Sequence, residues 1–161
     1  MTPEFTAAVD SSEILPGLLW QSAAPPPGTL LRDSGFNVVA LRAYEYQPAA
    51  ELFPGVEVIH SPSDDDFDNP PTRQVLLQAM ACAKQLAEAM KQGKVVLSTC
   101  RMGVNRSGLV TALALHKHLG LSGNQAVGLI KSCRPYALSN PQFLRILSKI
   151  PASHDHLLLR P

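Results

Sequence analysis

A chain of 161 residues that is 45% apolar is long enough to bury a sizeable core and is expected to form one compact domain. Its net charge of +1 gives no reason to expect a nucleic-acid or polyanion surface. Residues 1–12 lack the basic segment and apolar run of a signal peptide, no apolar run approaches the roughly 18 residues of a membrane span, and three cysteines without framework spacing suit a reducing cytoplasm.

After a lead at residues 1–11, segment 12–24 holds short apolar pieces broken by Pro16-Gly17 and predicts a small edge hairpin. Pro25-Pro26-Pro27-Gly28 reads as a connector rather than a partner motif, and Thr29 is placed to cap a short helix that Gly35 ends. Val38-Val39-Ala40-Leu41 and Val56-Glu57-Val58-Ile59 predict two buried strands. Tyr44, Tyr46 and Phe53 lie in the connection between them, where aromatics pack onto a core more often than they wall a pocket; that connection is also a candidate rim for a site.

Segment 61–71 is acidic and follows a strand, with Asp64, Asp65, Asp66 and Asp68 close together. Some of these carboxylates cap and solvate; Asp68 or Asn69 before Pro70-Pro71 is a natural N-cap. One could act as a general acid from a mobile loop. A calcium site is disfavoured, since the Gly and distal Glu of such loops are missing. Apolar residues then recur at helical spacing from Val75 to Met90, predicting a helix over about 72–92 with Gly93 as its stop. Cys82 lies on that helix, as a small core-edge residue or as a thiol able to resolve a disulfide.

A β-branched run at 95–99 leads into Cys100-Arg101-Met102-Gly103-Val104-Asn105-Arg106-Ser107, and an apolar helix over 107–119 follows, ended by Gly120. A thiol is a poor nucleophile at neutral pH unless a helix N-terminus or a cation favours its thiolate, and Cys100 stands beside both. The sharp turn that Gly103 permits would aim successive amides inward as an anion nest, with the helix dipole behind it. Arg106 adds a planar fork suited to two phosphate oxygens, and Ser107 puts a hydroxyl within reach of the sulfur. His116 and His118, near the helix C-terminus, suit the dipole better than a metal. Ser122 to Gln125 predicts a capping box for the next helix, which ends before Pro135; Asn140-Pro141 opens the last. Residues 151–161 read as a tail, whose His154 and His156 are too few to argue for a metal. Strands alternating with helices imply an α/β layer fold with the loop at the carboxyl end of a strand.

The Cys-x5-Arg-Ser pattern of Cys100 to Ser107 resembles the phosphate-binding loop of the cysteine-dependent protein tyrosine phosphatase superfamily, and of its small dual-specificity phosphatases in particular. The similarity extends over about residues 12–150. It implies one domain with a twisted, largely parallel sheet of four to five strands flanked by helices, and hydrolysis of phosphate monoesters through a phosphocysteine. Cys100 would be the nucleophile. Residues 101–106 (Arg101, Met102, Gly103, Val104, Asn105 and Arg106) would bind the phosphate, and Ser107 would assist thiolate departure. Laying His60-Ser61-Pro62-Ser63-Asp64-Asp65 against the family pattern puts the general acid at Asp65, with Asp64 and Asp66 as rivals. No metal or other cofactor is implied. The substrate would be a phosphorylated protein or a small phosphate ester, with no nucleic acid or membrane involved.

One departure stands out: the family usually carries His before the cysteine, and this chain has Thr99. Two further readings therefore stay open. One is a catalytically weak phosphate-binding pseudophosphatase, against which Cys100, Arg106 and Ser107 all count. The other is a sulfurtransferase, whose loops usually hold a shorter Cys-to-Arg spacing, or an arsenate reductase, which would need Cys82 or Cys133 as a relay thiol.

Overall fold

The structure, a computed structural model, describes residues 3–44 and 50–153. Tyr46, His154 and His156 lie outside the described residues. Five strands form one sheet in the order β1-β2-β5-β3-β4. The strands are β1 (Ser11–Leu15), β2 (Leu19–Ser22), β3 (Val38–Leu41), β4 (Glu57–His60) and β5 (Val96–Thr99). β1 and β2 form the antiparallel edge hairpin, and the other three pairings are parallel. β4 runs one residue later than expected because its partner sets its ends, with Val38 opposite Glu57 and Leu41 opposite His60.

Period-2 alternation divides the strand residues between two cores. Leu19, Val38, Ala40, Ile59 and Val96 face one side. That side is covered by α3 (Arg73–Lys91), α4 (Arg106–Leu119), α5 (Gly123–Cys133) and α6 (Pro141–Ser148). Trp20, Val39, Leu41 and Leu97 face the other, against α1 (Pro3–Ala8), α2 (Leu30–Asp33) and Phe53. On this side Phe5 of α1 meets Trp20 and Phe36 edge to face, at centroid distances of 5.9 and 4.9 Å. The central strand β5 is buried along its whole length, so the loop it delivers starts from inside the core.

α4 is buried from Arg106 through Leu115, as its nearly continuous apolar sequence requires. Gly120, in the left-handed region at φ 73°, ends it. The capping box at Ser122 and Gln125 and the Asn140 cap of α6 both form. Two expected caps do not. α3 is capped by Thr72, whose Oγ1 accepts from the Val75 amide at 3.2 Å, and not by Asp68 or Asn69. The Thr29 hydroxyl donates to Asp33 Oδ2 at 3.0 Å and makes no cap for α2. Of the aromatics in the connection after β3, Phe53 packs in the core and Tyr44 is exposed.

Candidate active site

β5 ends at Thr99, and α4 begins at Arg106. Between them Cys100 is 3% exposed at the floor of an open pocket of about 290 Å³, lined also by Asp65, Phe67, Arg101, Met102, Val104, Asn105 and Arg106. Its Sγ lies 3.2 Å from Ser107 Oγ. The Ser107 carbonyl is itself fixed, accepting from Ser98 Oγ at 3.1 Å and Thr111 Oγ1 at 2.8 Å. Asn105, at the N-cap position of α4, makes no side-chain cap, so the positive end of that helix faces the pocket.

The direction of the loop amides follows from what holds their carbonyls. Arg101 O accepts from the Ala24 amide, and Val104 O from the Leu138 amide at 3.0 Å. Met102 O accepts from Arg134 Nη2 at 3.0 Å. Gly103 O accepts from Arg134 Nε at 2.6 Å and Gln21 Nε2 at 3.0 Å. All these donors stand behind the loop. Because the C=O and the following N–H of a planar trans peptide point opposite ways, the amides of Met102, Gly103, Val104 and Asn105 turn toward the pocket. Amides turned inward in succession are what an anion nest requires. Gly103 carries φ 69°, and a Cβ there would run into the backbone of Ser22 and Ala23. Leu138 also has a positive φ, 59°, at the point where its amide braces Val104.

Of the neighbouring aspartates, Asp65 is the one that lines the Cys100 pocket among the described residues. Asn140 Nδ2 donates to its Oδ1 at 2.7 Å and Asn105 Nδ2 to its Oδ2 at 3.1 Å. Asp64 and Asp66 line a different cleft with Asn69 and Pro70. Asp66 accepts from the Asp68 amide at 2.8 Å and from the Asn69 amide and side chain at 3.2 and 3.1 Å. Those bonds, the Asp68 amide first, hold its carboxyl below the usual carboxylate range.

Arg106 Nη1 donates to the Ser63 carbonyl at 3.0 Å, which ties the head of α4 to the acidic loop. Arg42, at the end of β3, is fully buried behind it and donates to Ser61 and Ser63. Cys82 sits in the core of α3, where burial pushes its thiol up to about 11. Sequence reasoning brought Cys100, Asp65, Arg106 and Ser107 together. It missed Arg42, Arg134, Gln21 and the role of Asn140 beyond its helix cap, all of which act on residues distant in the chain.

No protein-family model matches the chain. Human dual specificity phosphatase 28 is 33% identical over 96 residues, covering 60% of this chain and 52% of that protein. The chain spans about half the length, or less, of three of the curated relatives it matches. A crystal structure of a mouse putative dual specificity phosphatase superposes with a TM-score of 0.72 at 28% identity, covering 86% of this chain and 84% of that one. Mouse dual specificity phosphatase 28 is 31% identical over 138 residues, covering 86% of this chain and 82% of that protein. With a likeness to this last relative that runs over most of both chains, the chain belongs to the dual specificity phosphatase family.

Proposed function

We propose that the chain is a cysteine-dependent phosphatase that hydrolyses phosphate monoesters, on phosphorylated tyrosine, serine or threonine of a protein or on a small phosphate ester. The observation that carries this reading is the pocket itself. A buried sulfur lies 3.2 Å from a serine hydroxyl at its floor, amides turn inward around it, and a doubly hydrogen-bonded Asp65 stands at its wall. The mouse putative dual specificity phosphatase whose crystal structure superposes on this chain was solved as a complex with zinc tungstate, and tungstate is a tetrahedral oxyanion of the shape the nest would hold.

The Cys100 thiolate attacks phosphorus in line, forming the S–P bond as the ester P–O bond breaks. The amides of the loop, Arg101 and Arg106 bind the equatorial oxygens as charge develops on them. Asp65 gives its proton to the departing oxygen. Water then attacks the phosphocysteine while Asp65, now a carboxylate, takes its proton; the S–P bond breaks, and Ser107 donates a hydrogen bond to the leaving thiolate. Residues 12–150 form the catalytic unit, 151–161 a tail, and 1–11 a lead whose Phe5 packs on the same core. The protein works in the cytoplasm, where its thiols stay reduced; no helix of the described residues is long and apolar enough to cross a membrane.

Phosphate release from para-nitrophenyl phosphate between about pH 5 and 8, wild type beside Cys100→Ser, tests the reading. Turnover that survives chelators and is lost in Cys100→Ser is expected. Absence of turnover in both, with vanadate still bound, would replace it with the phosphate-binding module.

A further inference from the structure

Three consecutive residues of the acidic loop, Asp65, Asp66 and Phe67, are held by the head of α6. Asn140 Nδ2 donates to Asp65 Oδ1 at 2.7 Å and to the Asp66 carbonyl at 3.1 Å. Gln142 Nε2, two residues along, donates to the Phe67 carbonyl at 3.2 Å. A second arm comes from the N-cap position of α4, where Asn105 Nδ2 donates to Asp65 Oδ2 at 3.1 Å. Asn140 is 0% exposed and Asn105 5%, whereas Asp65 is half-buried at the pocket wall.

Both side-chain amides are obliged to present their nitrogens to the carboxyl. Asn105 Oδ1 accepts from the Asn140 backbone amide at 2.8 Å, and Asn140 Oδ1 accepts from the Gln142 backbone amide at 2.9 Å. A backbone N–H only donates, so each asparagine oxygen is occupied and the NH2 group is what turns to Asp65. With one N–H on each carboxyl oxygen, rotation of the carboxyl about Cβ–Cγ would break both bonds. A protonated carboxyl keeps acceptor capacity beside its O–H, so Asp65 can carry its proton without giving up either amide. Capping alone needs less than this. The Oδ1 contact of Asn140 with Gln142 already serves α6, and its Nδ2 contacts serve the acidic loop.

We propose that Asn140 is a positioning residue of the phosphatase reaction, which together with Asn105 fixes the Asp65 carboxyl at the pocket wall so that its proton reaches the departing ester oxygen. The inference rests on the function proposed above. As the ester P–O bond breaks, the proton passes from the Asp65 carboxyl to that oxygen and leaves a carboxylate between two N–H donors. Proton transfer is sensitive to placement, since an error of about 1 Å in a catalytic group can cost about 10²-fold.

The experiment compares the full chain with Asn140→Ser on phenyl phosphate and on para-nitrophenyl phosphate, whose leaving group gains less from a proton. Serine is a good N-cap, so this variant keeps the cap of α6 and loses the amide donor. The expected result is a fall in kcat of about tenfold or more on phenyl phosphate, a smaller fall on para-nitrophenyl phosphate, and KM within about twofold on both. In an Asp65→Asn background the same substitution should cost nothing further on phenyl phosphate, because Asn140 acts through that carboxyl. Equal losses on the two substrates, no loss, or a loss that persists without Asp65 would each overturn the proposal. Should Asn140→Ser not fold, Asn105→Ser carries the same comparison from the other arm of the clasp. A wild type without turnover on either substrate would refute the phosphatase reading and the purpose of the clasp with it, whereas an active wild type with an indifferent Asn140→Ser would refute the clasp alone.

Discussion

Asp66 sits under three hydrogen-bond donors that hold its carboxyl low, whereas its neighbour Asp65 receives two side-chain amides at the wall of the Cys100 pocket. A carboxyl held low surrenders its proton too early to deliver it to a leaving group. Asp65→Asn should therefore lower kcat on alkyl phosphates by about 10²- to 10⁴-fold. The loss should shrink on aryl phosphates, whose leaving group needs less help. Asp66→Asn should leave turnover within about a few-fold, because its donors serve the turn and not the pocket. Its effect is on stability, and the sign follows from the lowered folded-state pKa. Stabilisation from the ionised Asp66 is complete above the unfolded value of 3.8 and fades as pH falls below it. Melting curves of wild type and Asp66→Asn should thus be separated near pH 7 and converge in strong acid.

The loop between β5 and α4 holds its shape because other elements take its carbonyls. Arg134, at the C-cap of α5, serves Met102 and Gly103 together and pairs with Asp10 at 3.1 Å. Arg134→Met would take the side-chain donor from the Met102 carbonyl, at about 1–3 kcal/mol if it stays buried, and leave the Gly103 carbonyl with Gln21 Nε2 alone. Weaker vanadate binding should accompany the lower melting temperature, since the amides that face the anion are aimed by those carbonyls. Gly103→Ala is expected to be worse for binding: it demands a positive φ from alanine and pushes a methyl into the Ser22–Ala23 backbone. Isothermal titration with vanadate measures both. This layer also marks where the sequence stopped being informative. Cys100, Gly103, Arg106 and Ser107 are local, and their spacing alone specifies a turn between strand and helix. Their braces lie far along the chain, Gln21 by 82 positions from Gly103 and Asn140 by 75 from Asp65. Nothing in a single sequence pairs residues at that range.

At the scale of the whole molecule, hydrophobic periodicity was enough to place the strands and the long helices, because one buried face imposes a period on each. It could not foresee that Arg42, a charged residue at a strand end, lies inside, nor that Thr72 outcompetes Asp68 and Asn69 as the cap of α3. Cys82 was legible as a core-edge residue, and its position between sheet and α3 makes the fold sensitive to alkali. Burial is the main cause of its raised pKa, with Arg42 and the Ser61 hydrogen bond opposing. The folded-state value of about 11 lies above the ordinary 9.0, so the native state grips this proton more tightly than the unfolded chain does. Stabilisation from the protonated thiol is therefore complete below pH 9.0 and is lost as pH climbs toward 11. The loss amounts to about 2–3 kcal/mol by the linkage relation. Cys82→Ala keeps a small apolar side chain there, and its cavity cost does not vary with pH. The stability gap between wild type and Cys82→Ala in urea should hold steady from pH 7 to about 9 and then move in favour of the variant. Other lysines, tyrosines and thiols titrate equally in both proteins and cancel in that difference. A gap that stays flat through pH 11 would mean that Cys82 meets solvent in the folded protein, and the same residue would then take up iodoacetamide at neutral pH.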